Sequence, residues 1–100
     1  EYFSTVEVEK GLPDEFELSQ NYPNPFNPST AIDFALPVAE HITLEIYDVL
    51  GNKIAVLVDE KREAGNYTEI FNGSNLTSGI YFYSIRAGEF VRTRKLMLLK

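Results

Sequence analysis

Few residues in this chain could carry chemistry, and their spacing decides what kind it could be. His41 is the only histidine and cysteine is absent, which excludes a thiolate nucleophile, a thiolate metal site and a disulfide framework. Acid–base or nucleophilic catalysis needs a second group within reach of the imidazole. His41 follows Pro37 and Glu40 with no partner at a suggestive spacing, and it reads as a solvated polar residue at the start of a strand. Asp33, Asp48 and Asp59 fall at strand edges, where loops could gather carboxylates round a hard cation such as calcium. No EF-hand spacing accompanies them, so solvated turn residues are the expectation. The glycines of "AGN", "NGS" and "TSG" stand singly at turns and form no phosphate-cradling run. The sequence calls for no cofactor and no catalytic residue.

Aromatic side chains offer the best case for a ligand. Tyr81 and Tyr83, two apart on one strand, share a face, and Tyr47 or Tyr67 could lie alongside to make the kind of platform on which a sugar stacks. The competing use of such residues on a strand is the core. Three Asn-X-Ser/Thr triplets begin at Asn66, Asn72 and Asn75; they matter only in a eukaryotic secretory route, for which nothing else argues.

Composition narrows the classes further. At 100 residues the chain is one domain, long enough to bury roughly two-thirds of its unfolded surface. A net charge of −6 argues against nucleic acid, because phosphate binding draws its affinity from Lys and Arg. No apolar run nears the about 18 residues that a membrane-spanning helix needs. The charge is uneven: residues 1–20 hold six acids and one base, whereas residues 86–100 hold five bases and one acid. The chain opens on Glu1 without a signal-peptide pattern, so it reads as a piece of a longer polypeptide whose targeting signal lies upstream.

The elements that must position these residues are strands. "AIDFAL" and "HITLEIY" alternate with Ile32, Phe34, Leu36 and Ile42, Leu44, Ile46 inward. "KIAVLVD" is a β-branched run closed by turn signals in "KREAG", where a helical turn over 60–64 is conceivable before Gly65 ends it. "NYTEIFN" sets Tyr67 and Phe71 on one face with Glu69, "IYFYSIRA" is apolar on both faces, and "FVRTRKLMLLK" is the last strand. Six strands at turn-punctuated intervals, with a seventh available from the lead-in, predict an all-β antiparallel sandwich. The stretch 2–9 could be a strand of an upstream domain.

Between lead-in and first strand lies "NYPNPFNPST". Pro23, Pro25 and Pro28 each remove a backbone donor and bias Tyr22, Asn24 and Asn27 toward extended conformations. The expectation is a stiff, non-pairing lead-in, with Tyr22 and Phe26 pinning it to the sandwich and Ser29 and Thr30 releasing the chain into the first strand.

Taken together, "LSQNYPNPFNPSTAIDFALP", "LEIYDVLGNKIAVLVD" and "AGNYTEIFNGSNLTSGIYFYSIRAGEFVRTRKLMLLK" resemble the type A C-terminal sorting domain of the bacterial type IX secretion system, over residues 16–100. The specific features are the start motif (Asn21, Tyr22, Pro23, Asn24, Pro25, Phe26, Asn27, Pro28), Tyr47-Asp48 with Gly51, "SGIYFY" from Ser78 to Tyr83, and the Lys-flanked apolar end. The related Ig-like domain of flagellar hook-capping proteins is less similar at both ends. The resemblance implies an Ig-like sandwich of about seven strands, with residues 1–15 a linker from an upstream cargo domain. It implies a non-catalytic address read by the outer-membrane type IX translocon. Cleavage by a sortase-like peptidase and surface attachment or release of the cargo commonly follow. By the same resemblance, Gly79 and Tyr81 match the glycine-tyrosine motif, and Lys95, Leu96, Met97, Leu98, Leu99 and Lys100 match the terminal signal.

A physical rationale accompanies that end: an open edge strand exposes donors and acceptors to which a partner can add a strand. The rival readings are a carbohydrate-binding or other accessory module of an extracellular enzyme, and a passive spacer.

Overall fold

Alternation of apolar and polar side chains builds a sandwich in the computed structural model, which describes residues 12–100. The stretch 2–9, proposed above as an upstream strand, lies outside the described residues. Seven strands follow in order: β1 (Glu17–Leu18), β2 (Ser29–Leu36), β3 (Glu40–Tyr47), β4 (Lys53–Arg62), β5 (Gly65–Asn72), β6 (Gly79–Ala87) and β7 (Phe90–Leu98). They form a three-stranded sheet, β1-β2-β5, and a four-stranded sheet, β4-β3-β6-β7, with every pairing antiparallel. The seventh strand does come from the lead-in, as the two-residue β1.

The core lies between the sheets, where the inward residues of each alternating run meet. Ile32, Leu36, Ile42, Leu44, Ile46, Tyr83, Leu96 and Leu98 are each fully enclosed, and burying one aliphatic side chain of this size contributes about 1.5–3 kcal/mol. Tyr81 and Tyr83 belong to this core. Their inward direction agrees with the core use and removes the sugar platform as an alternative, since a buried ring offers no face to a glycan. Tyr47, on β3, turns to the opposite side of the sheet, and Tyr67 is in the other sheet.

β4 runs three residues beyond "KIAVLVD", through the polar stretch expected to turn or coil into a helix. Cross-strand pairing carries it: Ile42 faces Glu60, His41 faces Lys61 and Glu40 faces Arg62. An edge strand tolerates such charges because one side of it meets water. Two register shifts against β3 accommodate the length.

Only Glu63 and Ala64 separate β4 from β5, and here the chain crosses from one sheet to the other. Arg62 fastens the crossing. Its Nη2 lies 3.0 Å from Glu69 Oε2, and its guanidinium sits 4.9 Å above the Tyr67 ring. Tyr67 in turn stacks on Phe34 at 5.3 Å. Glu69 therefore keeps the inward register its strand demands, because a cation from the opposite sheet meets it there.

Candidate functional site

The β3–β4 connection shows what "YDVLGN" does. The Asp48 carboxylate accepts hydrogen bonds from the amides of Leu50 and Asn52, both at 2.9 Å, and from Asn52 Nδ2 at 3.1 Å. Hydrogen bonds from the Asn52 backbone and side chain hold its pKa below the ordinary value. Gly51 closes the loop at φ 87°, a conformation that side chains disfavour. Val49 and Leu50 ride on this turn, and Leu50 is 83% exposed.

The other acidic candidates are held apart. Asp33 accepts from Thr68 Oγ1 at 2.6 Å, while Asp59 lies 2.7 Å from His41 Nε2 across the β3–β4 ladder. The histidine therefore has a partner that sequence spacing hid, brought diagonally across two strands. Both groups are well exposed, so the pair is a surface contact of small energetic weight. Among the described residues no group of three or more His, Asp or Glu side chains converges as a metal site requires.

The terminal strand and the proline segment, 70 or so residues apart in sequence, are in contact. Phe26 is buried among core residues. Its amide donates to the Met97 carbonyl at 2.9 Å, and its carbonyl accepts from the Leu99 amide at 3.0 Å. The Met97 amide donates to Asn24 Oδ1 at 3.0 Å, and Gln20 Nε2 donates to the Lys95 carbonyl at 2.7 Å. Just before these contacts, Arg94 Nε donates to the Leu18 carbonyl at 2.5 Å and the Tyr83 hydroxyl to the Ser19 carbonyl at 2.6 Å. Two expectations fail here. The segment is not non-pairing, because Phe26, between Pro25 and Pro28, keeps its amide and uses it, and so does Tyr22 before Pro23. The outer edge of β7 is not open from Lys95 to Leu99, because residues 20–26 occupy it.

The start motif folds on a polar pair. Asn21 Nδ2 donates to Thr30 Oγ1 at 3.0 Å and to the Pro23 carbonyl at 3.2 Å, while Thr30 Oγ1 donates to that carbonyl at 2.8 Å. Both side chains are buried, and mutual hydrogen bonding offsets their desolvation. Pro28 gives its carbonyl to the Gly73 amide at 2.8 Å. Tyr22 is 80% exposed and does not pin the segment. Its backbone instead exchanges both hydrogen bonds with Ala31 on β2. Pro23, Asn24, Pro25 and Asn27 lie at the surface.

Of the residues expected in the terminal signal, Leu96 and Leu98 are core, whereas Lys95, Met97, Leu99 and Lys100 are exposed. Lys100 is tied back to the loop before β6: its amide donates to Ser78 Oγ at 2.9 Å, and its Nζ to the Ser74 carbonyl at 2.5 Å. Gly79 opens β6 opposite Leu98, and no atom stands within 4 Å of where a Cβ would be. Tyr81 is anchored by its hydroxyl, which donates to the Thr77 carbonyl at 2.7 Å. The contacts of Gln20 and Arg94 were missed by sequence reading, since each acts on a strand remote in sequence.

The acidic start and the basic end of the chain also meet. Glu15, Phe16, Glu17 and Ser19 line one cleft with Arg92 and Arg94, and Phe16 stacks on Phe90 at 5.3 Å.

A start motif clamped onto a terminal strand within one sandwich is an arrangement that spans nearly the whole domain. The family model of the secretion system C-terminal sorting domain matches residues 20–99. The chain belongs to this family. The matched stretch thus runs from the residue that bonds the Lys95 carbonyl to one that bonds the Phe26 carbonyl. Sorting domains of this kind are C-terminal signals for type IX secretion, and they mark the proteins that carry them for the cell surface or for release through the outer membrane. The family is non-catalytic in general and engages the type IX secretion machinery. No curated protein matches the chain. No helix among the described residues is long and apolar enough to cross a membrane.

Proposed function

We propose that the sorting domain comprises residues 16–100 and is recognised chiefly at the end of β7, through Lys95–Lys100 with Gly79 and Tyr81 behind them. The alternation in this stretch supports the reading: Leu96 and Leu98 hold the strand in the core, which leaves Lys95, Met97 and Leu99 outward at fixed spacing, with Lys100 exposed beyond the strand. Lys95 takes part in none of the ion pairs among the described residues, so its charge is available to a partner. Recognition is by the translocon of the type IX system. The upstream cargo is joined through residues 1–15, and a sortase-like peptidase cuts in the linker before Asn21, since linkers between domains are where proteases most readily act. The domain itself catalyses nothing.

Fusion of the full chain to a reporter with a general export signal, in a type IX-competent bacterium, tests the reading. Deleting Lys95–Lys100 should leave the reporter in the periplasm; a reporter that still reaches the medium or the cell surface refutes the terminal signal.

A further inference from the structure

With the edge of β7 occupied by residues 20–26, a partner cannot read Lys95–Leu99 by adding a strand there without first displacing Asn24 and Phe26. What β7 does present is the outward face of the four-stranded sheet. On that face Met97 lies opposite Ile80, and Lys95 lies opposite Phe82, which in turn lies opposite Tyr47. Tyr47 is paired with Lys53 at the far side. Ile80, Phe82 and Tyr47 are half-buried and Met97 is 36% exposed, an apolar band on the side of the sheet where a sandwich in water carries polar residues. Beyond Ile80 the band continues into a cleft of about 460 Å³ that Val49, Ile54 and Leu76 help to line. Away from it the same face is polar, with Thr93 Oγ1 donating to Ser84 Oγ at 3.2 Å.

We infer that this band, centred on Phe82, Ile80 and Met97 between Lys53 and Lys95, is the surface on which the domain docks into a protein groove that is apolar at its centre and rimmed by carboxylates. The inference rests on the sorting-signal reading and names the face through which that signal is read. Charge selects the occupant. The chain carries −6 overall, which repels anionic lipid and nucleic acid alike. Locally the band is flanked by two lysines: Lys53 is shared with Glu45 at 3.0 Å, and Lys95 has no carboxylate in the described ion pairs. A carboxylate rim on the partner complements both, while apolar side chains in its groove cover Phe82 and Met97. Docking through side chains also leaves the clamp of residues 20–26 in place, so the signal is read folded.

The reporter fusion of the full chain carries the test, with Phe82→Glu, Met97→Glu, Lys95→Glu and Lys95→Arg beside Thr93→Glu as a control on the same strand and face. Thermal melts of each purified fusion establish folding, and Phe82→Gln serves if Phe82→Glu fails to fold. Phe82→Glu and Met97→Glu should cut export by about tenfold, the size of losing one central contact at an interface. Lys95→Glu should cut it less, Lys95→Arg should recover most of what Lys95→Glu loses because the charge is kept, and Thr93→Glu should leave it unchanged. Normal export of folded Phe82→Glu, with the Lys95–Lys100 deletion still blocked, overturns the face while leaving the terminal signal intact. Export of the deletion variant removes both. Damage by Thr93→Glu equal to that by Met97→Glu would assign the effect to β7 as a strand and overturn the band. Sedimentation that reveals a dimer dissolved by Phe82→Glu would give the band to a second copy. Co-sedimentation with acidic phospholipid vesicles that Phe82→Glu abolishes would give it to lipid. Either result overturns the inference.

Discussion

Phe26 brackets Leu98: its amide bonds the residue before and its carbonyl the residue after, while its ring shares the core with the Leu98 side chain. One residue of the proline segment thus completes a parallel bridge to the last strand, and the two ends of the sorting domain become one structural unit. Prolines on either side suit this role. They present no amide of their own, whereas Phe26 keeps the one that Met97 accepts, and they restrict the chain to shapes that reach it.

Phe26→Ala should cost about 3–5 kcal/mol in denaturant unfolding, from the buried area and the cavity that remains. Amide exchange at Leu99, whose donor loses its anchor, should accelerate more than exchange in β3. Equal exchange in the two strands would show that Phe26 is core filler and not a clamp.

Arg62 and Glu69 are largely enclosed, with side chains 19% and 25% exposed, and they join opposite sheets. A double-mutant cycle with Arg62→Ala and Glu69→Ala should give a coupling of about 1 kcal/mol, at the top of the surface range, because partial burial limits screening. The coupling should shrink only partly in high salt. Additive single effects would mean that Glu69 is held by strand register alone.

Glu45 accepts from the Tyr47 hydroxyl at 2.6 Å and lies 3.0 Å from Lys53 Nζ. The Tyr47 and Lys53 hydrogen bonds hold its carboxyl below the ordinary 4.5. A carboxyl that ionises more readily when folded stabilises the fold above that pH and loses its contribution as the pH falls below it. Glu45→Gln should therefore lower stability at neutral pH and have a smaller effect in the acid range. Urea midpoints at both pH values decide it, and an equal loss at both would exclude the ionic contribution.

Burial pushes the Tyr83 phenol up from 10.0 to about 12. The folded state thus keeps a proton that the unfolded state releases, so this contribution is whole below pH 10 and is lost as the pH rises toward 12. Tyr83→Phe should cost about 1 kcal/mol at neutral pH, for the hydrogen bond to the Ser19 carbonyl. It should also flatten the alkaline decline. A wild-type stability that stays level between pH 10 and 12 would contradict the enclosed phenol.

The local signals determined the class of fold. Alternation in "AIDFAL" and "HITLEIY" set which faces are buried, because a strand's side chains repeat every two residues whatever surrounds them. Turn chemistry was equally local: Asp48 and Gly51 close a five-residue loop with their own neighbours. The family motifs were legible in the same way, as short runs in fixed order. Tertiary structure alone decided what those runs touch. The extension of β4 to Arg62, the partners found by His41 and Glu69, and the inward direction of Tyr81 and Tyr83 all come from residues on other strands. So does the contact between Phe26 and Leu98. Hydrogen bonds across 71 and 73 residues leave no periodicity in the chain, because they depend on how two sheets stack and on which edge the lead-in can reach. The sequence could name both ends of the signal; folding made them one surface.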